Sequence, residues 1–231
     1  MSRSKTLAAG LSFVMLFISM VAYADDVGSE PVMVREAYDD SAEAIKQRAG
    51  SGDPLAGMRK SFLCQGCHGT DGISVEPLIP KLAGQYANYI EKQIHNYQAG
   101  TRSHQIMNGM AATVENDTDL ADIAAYFASQ PKMEGDGSPG NPLGESIFLH
   151  GDISKNRLPC FGCHGIRGKG DAPTSSMFPV IGGQQKEYIR KQLMDFRSGI
   201  RTNSPAGIMN LMAKLLTDEE IDALADYISA Q

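Results

Sequence analysis

Large apolar residues recur along this chain at helical spacing in short blocks, and the series of blocks runs through twice. In the first pass Leu55, Met58, Phe62 and Leu63 follow Asp53-Pro54, a cap with proline at the first helical position. Tyr89, Ile90, Ile94 and Tyr97 mark a helix over about 86–98 that stops at Gly100. Leu120, Ile123, Ala124 and Phe127 follow Asn116, with Asp119 in the first turn. In the second pass a helix opens over 144–150, another runs over about 185–197 and ends before Gly199, and a last one begins at Thr217-Asp-Glu-Glu220, a capping box. Its Ile221, Leu224, Ala225 and Ile228 fall at i, i+3, i+4 and i+7. The pattern predicts helices throughout.

The two passes superpose residue by residue. Gly84-Gln85, Tyr89, Gln93, Gly100 and Arg102 match Gly183-Gln184, Tyr188, Gln192, Gly199 and Arg201 at an offset of 99. Such self-similarity is the signature of a duplicated unit, and loop insertions shift its offset locally. The Gly- and Pro-rich stretch 131–144 separates the copies and reads as a linker. The expected domains are therefore 53–130 and 145–231, preceded by an extension over 25–52. Within that extension Ser41 caps a short helix whose single large apolar residue, Ile45, gives it little to bury, so it reads as a mobile extension or a packed arm. Methionine-bearing loops containing Met107 and Met110, and Met209 and Met212, are expected between the second and third helices of each copy.

At 231 residues each half is long enough to bury a core. Residues 1–24 read as a secretory signal: Arg3 and Lys5 begin it, an apolar run spans 11–21, and Ala22-Tyr23-Ala24 is a cleavage site, which starts the mature chain at Asp25. Cleavage removes two positive charges, so Lys plus Arg falls from 21 to 19 against 27 Asp plus Glu, a balance of −8. An acidic surface argues against nucleic acid as a partner, and it suits either docking on a basic patch or plain solubility. Export to an oxidising compartment normally favours disulfides. Here all four cysteines lie elsewhere engaged.

They lie in Cys64-Gln65-Gly66-Cys67-His68 and Cys160-Phe161-Gly162-Cys163-His164, two copies of C-x-x-C-H at an offset of 96. In this spacing two thiols bond to the vinyl groups of a haem while the following imidazole comes under the iron. Two covalently bound haem c groups are expected, held by Cys64, Cys67, Cys160 and Cys163, with His68 and His164 as iron ligands. A four-thiolate zinc site would need pairs 96 positions apart to converge and would leave both histidines idle. A dithiol redox couple lacks the strand-helix-strand surroundings it requires.

The opposite face of each iron decides the chemistry, since a thioether there suits electron transfer and an open face suits small-molecule binding. Met107 or Met110 and Met209 or Met212 are the candidates. The recurrence of Ile106-Met107-Asn108 as Ile208-Met209-Asn210 favours Met107 and Met209. His95, His104 and His150 have no histidine counterpart in the other copy and read as surface or packing residues. Pro80 and Pro179 each supply a carbonyl without an N–H, able to accept from an imidazole. Arg102 and Arg201 either reach haem propionates or face solvent.

This ordered set, two C-x-x-C-H motifs each followed by Pro-x-aliphatic-x-Gly-Gln or a close variant, Tyr-x-x-x-Gln, Gly-x-Arg and Ile-Met, resembles the dihaem cytochrome c4 family over about 53–231. The resemblance implies an all-α fold of two tandem class I cytochrome c domains related by pseudo-twofold symmetry, each with a His/Met-ligated haem. It implies a monomeric periplasmic electron carrier, peripherally membrane-associated, between the bc1 complex or a dehydrogenase and a terminal oxidase. It assigns His68 and His164 as proximal and Met107 and Met209 as distal ligands, and no catalytic residue. Two other classes remain: a haem-bearing electron-transfer subunit of a dehydrogenase complex, and a small dihaem redox enzyme such as a thiosulfate dehydrogenase. The segment 25–52 is longer than the family's usual lead-in.

Overall fold

In the computed structural model each copy of the repeat folds as helices packed on its own last helix. The structure describes residues 40–170 and 178–231, all within the compact unit Tyr38–Gln231. The signal reading and the mature start at Asp25 lie outside the described residues. Among those described there is no strand, only an isolated bridge between Asp152 and Arg157.

The first copy contains α1 (Ala42–Ala49), α2 (Pro54–Lys60), α3 (Phe62–His68), α4 (Ala87–Gln98), α5 (Gln105–Ala111) and α6 (Asp117–Ser129). The second contains α7 (Pro142–His150), α8 (Phe161–His164), α9 (Lys186–Ser198), α10 (Ile208–Lys214) and α11 (Asp218–Ser229). Helices α1, α2 and α4 pack on α6, and α7 and α9 on α11, while α5 lies on α4 and α10 on α9. The caps stand where the sequence places them: the Asp53 and Asn116 carboxylate and amide oxygens accept from Leu55 and Asp119 N–H, and the Thr217–Glu220 capping box is closed.

Three expectations are corrected. The stripe Leu55, Met58, Phe62, Leu63 does not face the core: Leu55 is 68% and Phe62 75% exposed. The chain bends at Ser61, and α2 meets α6 through Gly57 instead, so closely that a Cβ there would lie 1.8 Å from Asp122 O. Gly144 does the same for α7, with a Cβ falling 2.0 Å from Ala223 O. Backbone contact of this kind admits no side chain, so the apolar residues around Gly57 point outward. The methionine segments are helices, α5 and α10, rather than loops. Periodicity missed them because seven residues give barely two turns.

The third concerns 131–144. Residues 131–141 lack helix, yet Met133 is fully buried between Tyr86 and Val180, one from each copy. This strap crosses directly over Gly84 and Gly183, both with positive φ, where a Cβ would meet Lys132 Cα at 2.4 Å and Glu134 C at 2.6 Å. The extension is resolved in favour of a packed arm over its described part. Arg48, buried, donates through Nε to Ala128 O at 2.8 Å and through Nη2 to Gln130 O at 3.1 Å, the last carbonyls around the α6 C-terminus.

The copies meet by exchange. Gln85 Nε2 donates to Val180 O at 2.8 Å and its Oε1 accepts from Val180 N at 3.0 Å. Gln184 Nε2 donates to Lys81 O at 2.9 Å and its Oε1 accepts from Lys81 N at 2.8 Å. Gln85 with Val180 and Gln184 with Lys81 are the same pair with the copies swapped, which is pseudo-twofold symmetry written in hydrogen bonds.

Candidate haem-binding site

Helix α3 carries Cys64 and Cys67 one turn apart and ends on the buried His68. The shorter α8 uses Cys160 as its cap and ends on the buried His164. All four thiols are free of disulfides. Burial raises the Cys64 thiol pKa and pushes that of Cys160 up to about 11.

Each imidazole is oriented by a proline carbonyl. His68 Nδ1 lies 2.8 Å from Pro80 O and His164 Nδ1 lies 2.9 Å from Pro179 O. A carbonyl only accepts, so each Nδ1 carries the proton and each Nε2 keeps a lone pair for a metal. Burial pulls both imidazoles below their ordinary pKa, against a smaller upward pull from the proline carbonyls, so both are neutral at neutral pH.

One continuous cavity of ≈ 460 Å³ serves both copies, its wall formed by His68, Met107 and Met110 from the first and His164 and Met209 from the second. Met212, Cys160 and Cys163 lie off that wall. The structure thus places Met209 rather than Met212 at the cavity, and leaves both Met107 and Met110 there. His95, His104 and His150 are exposed; His104 lines the cavity mouth but is engaged as the α5 cap, its Nδ1 accepting from Met107 N. Among the described residues no three His, Cys, Asp or Glu side chains gather to hold a metal, which removes the geometry a four-thiolate zinc site needs.

Between the two sites lies a polar cluster built on Arg102 and Arg201, neither of which faces solvent. Arg102 is 8% and Arg201 7% exposed. Arg102 Nη1 donates to Gln93 Oε1 at 2.7 Å, and its Nη2 to Tyr188 OH at 2.9 Å and Gln192 Oε1 at 3.0 Å. Arg201 mirrors this: Nη1 donates to Gln192 Oε1 at 2.6 Å, and Nη2 to Tyr89 OH at 3.1 Å and Gln93 Oε1 at 3.2 Å. The guanidinium groups stack on Tyr97 and Phe196 at 4.8 and 4.4 Å. Burial alone would raise the Tyr89 hydroxyl pKa, but the two arginines together outweigh it and lower it. Tyr97, more weakly affected by Arg102, is pushed up by burial to about 12. The legible signal was polar residues repeated at an offset of 99 on helices whose neighbours are apolar.

A haem fits these residues. Its iron needs the neutral Nε2 and thioether donors, its macrocycle needs apolar walls, and its propionates need buried donors. Among the described residues neither guanidinium has a carboxylate partner, and Gln93 Nε2 is buried without any partner. Two buried cations and an orphaned donor at the edge of an apolar cavity call for an anionic group.

The comparisons agree. The cytochrome c family model matches twice, over residues 59–131 and 156–231. Cytochrome c4 of Pseudomonas aeruginosa is 43% identical over 180 residues, covering 77% of this chain and 88% of that protein. The crystal structure of reduced recombinant cytochrome c4 from Pseudomonas stutzeri superposes with a TM-score of 0.72 at 40% identity, covering 78% of this chain and 99% of that one. The thiosulfate dehydrogenase electron acceptor of Stutzerimonas stutzeri is 32% identical over 185 residues, covering 78% of this chain and 82% of that protein.

Proposed function

The chain belongs to the cytochrome c4 family, and we propose from that premise that it works in the periplasm, taking electrons from a bc1 complex or a dehydrogenase and giving them to a terminal oxidase. As a member it is an electron carrier with two covalently bound haem c groups and two tandem cytochrome c domains. What carries the finer reading is the pairing, on one cavity wall, of an oriented imidazole and a thioether from each half. Each haem iron supplies a one-electron couple.

The residues proposed to hold the two groups are Cys64, Cys67, His68 and Met107 in one half and Cys160, Cys163, His164 and Met209 in the other. The proline carbonyls fix each ring so that its Nε2 faces the cavity, and neutral rings avoid competition from a proton. Apolar walls keep water from the sites, which limits reorganisation when charge changes. Thioethers of Met107 and Met209 on the two irons would leave no open face for a substrate, which argues against a substrate-binding enzyme. No described helix is long and apolar enough to cross a membrane.

The test is exchange with candidate partners. Reduced holoprotein should be oxidised rapidly by a haem-copper terminal oxidase, with a rate that falls as salt rises, and should appear in the periplasmic extract of its cells. Oxidation no faster than for an unrelated acidic cytochrome would overturn the reading. The similarity to a thiosulfate dehydrogenase electron acceptor favours a second one, with such a dehydrogenase as the donor. Stable co-purification with a dehydrogenase would select it.

A further inference from the structure

We propose that Arg102 and Arg201 act as one shared charge centre that raises the reduction potentials of both haem sites together, each arginine acting on the opposite half as strongly as on its own. This rests on the ligand set proposed above. The geometry is crossed: Arg102, from the first half, bonds Tyr188 and Gln192 of the second, and Arg201, from the second, bonds Tyr89 and Gln93 of the first.

Gln93 Oε1 accepts from both guanidinium groups, and so does Gln192 Oε1. The two cations are thereby held in one hydrogen-bonded cluster on the pseudo-twofold axis, and neither belongs to one half. Both line the cavity shared by the two sites. Being buried, they are little screened by salt. Their acceptors in the cluster are amide and phenol oxygens rather than carboxylates, so the negative charge they would offset is that of the haem propionates of both sites.

A nearby cation favours whichever oxidation state of a centre is less positive, the reduced one. Placed symmetrically, it does so for both sites. A duplicated fold in which each half kept its own arginine to itself would instead show two separate effects.

The test is a mediated redox titration of the dihaem protein, with the two midpoints assigned to their halves by the NMR resonances of the haem methyl groups. In Arg102→Gln both midpoints fall by similar amounts, on the order of tenfold in each equilibrium constant, about 59 mV for a one-electron couple. Arg102→Lys keeps the charge and holds both midpoints near their starting values. Gln192→Glu keeps the shape, places a carboxylate against both guanidinium groups, and lowers both midpoints together even if Arg102→Gln fails to take up two haems. A fall confined to the first half in Arg102→Gln, or to the second in Gln192→Glu, overturns the proposal, as does no fall in either. Absence of sulfur-to-iron charge-transfer absorption in the parent protein would instead sink the His/Met ligand set.

Discussion

The two halves keep the same residues where they face each other and differ where they face outward. Tyr89 and Tyr188, Gln93 and Gln192, Arg102 and Arg201, and Gln85 and Gln184 make the same bonds with the copies exchanged. The outer shells have diverged. The first half packs five alanines, Ala49, Ala87, Ala124, Ala125 and Ala128, among Ile90, Ile123 and Phe127, and adds helix α1 against α6. Among the described residues the second has no such helix, and its core holds one alanine, Ala225, among Ile147, Phe148, Leu224, Tyr227 and Ile228. Small residues let another helix come close, while large ones fill the same space from fewer elements.

That contrast can be broken by matched substitutions. The largest effect should come from the motifs: replacing Cys64 and Cys67 with Ser, or Cys160 and Cys163, leaves one covalent haem per chain in either case. A pyridine haemochrome assay on denatured protein checks it.

Next come the helix contacts. Gly57→Ala and Gly144→Ala should each destabilise the protein by roughly 3 kcal/mol or more, because a Cβ would strike the backbone of α6 or α11. Gly66→Ala and Gly162→Ala, with nothing within 4 Å of a Cβ, should stay within about 1 kcal/mol. Urea unfolding of the four variants compares them.

The insertion over 151–159 in the second half is closed by Arg157, whose Nη1 lies 2.9 Å from Glu220, with side chains 6% and 12% exposed. Breaking this pair with Arg157→Gln should cost about 3 kcal/mol. Burial would raise the Glu220 pKa, but the Thr217 N–H and Arg157 outweigh it and lower it. A carboxyl held lower in the folded state binds fewer protons there than in the unfolded chain, so its stabilisation is full above the ordinary carboxylate pKa. It is lost as pH falls through the folded value. Thermal melts between neutral and acid pH should show this loss in the parent and a weaker one in Glu220→Gln.

Arg48→Ala should release α1 and destabilise the first half by about 2 kcal/mol, leaving α11 as protected from hydrogen exchange as before. Smallest of all, His95→Ala and His150→Ala should change stability by no more than about 0.5 kcal/mol and leave the visible spectrum unaltered.

The helices, caps and haem attachment motifs were legible because each has a local cause: a 3.6-residue period, a capping side chain, a fixed C-x-x-C-H spacing. The outward turn of Leu55 and Phe62 was not, because it follows from a backbone contact at Gly57 with a helix some sixty-five residues away. The burial of Met133 escaped notice for the same reason, since composition marks 131–144 as linker while tertiary contacts make it a strap. Arg102 and Arg201 showed as repeated residues, but only the packing of two copies reveals that each donates to the other's half.

The claim that both halves build the same metal site is tested most directly by the near-infrared sulfur-to-iron charge-transfer band of the oxidised holoprotein, compared with that of Met107→Ala and Met209→Ala. Equal sites predict that each substitution removes half of the band's intensity. An undiminished band in Met107→Ala would hand the first iron to Met110, and an undiminished band in Met209→Ala would contradict the symmetry on which the account rests.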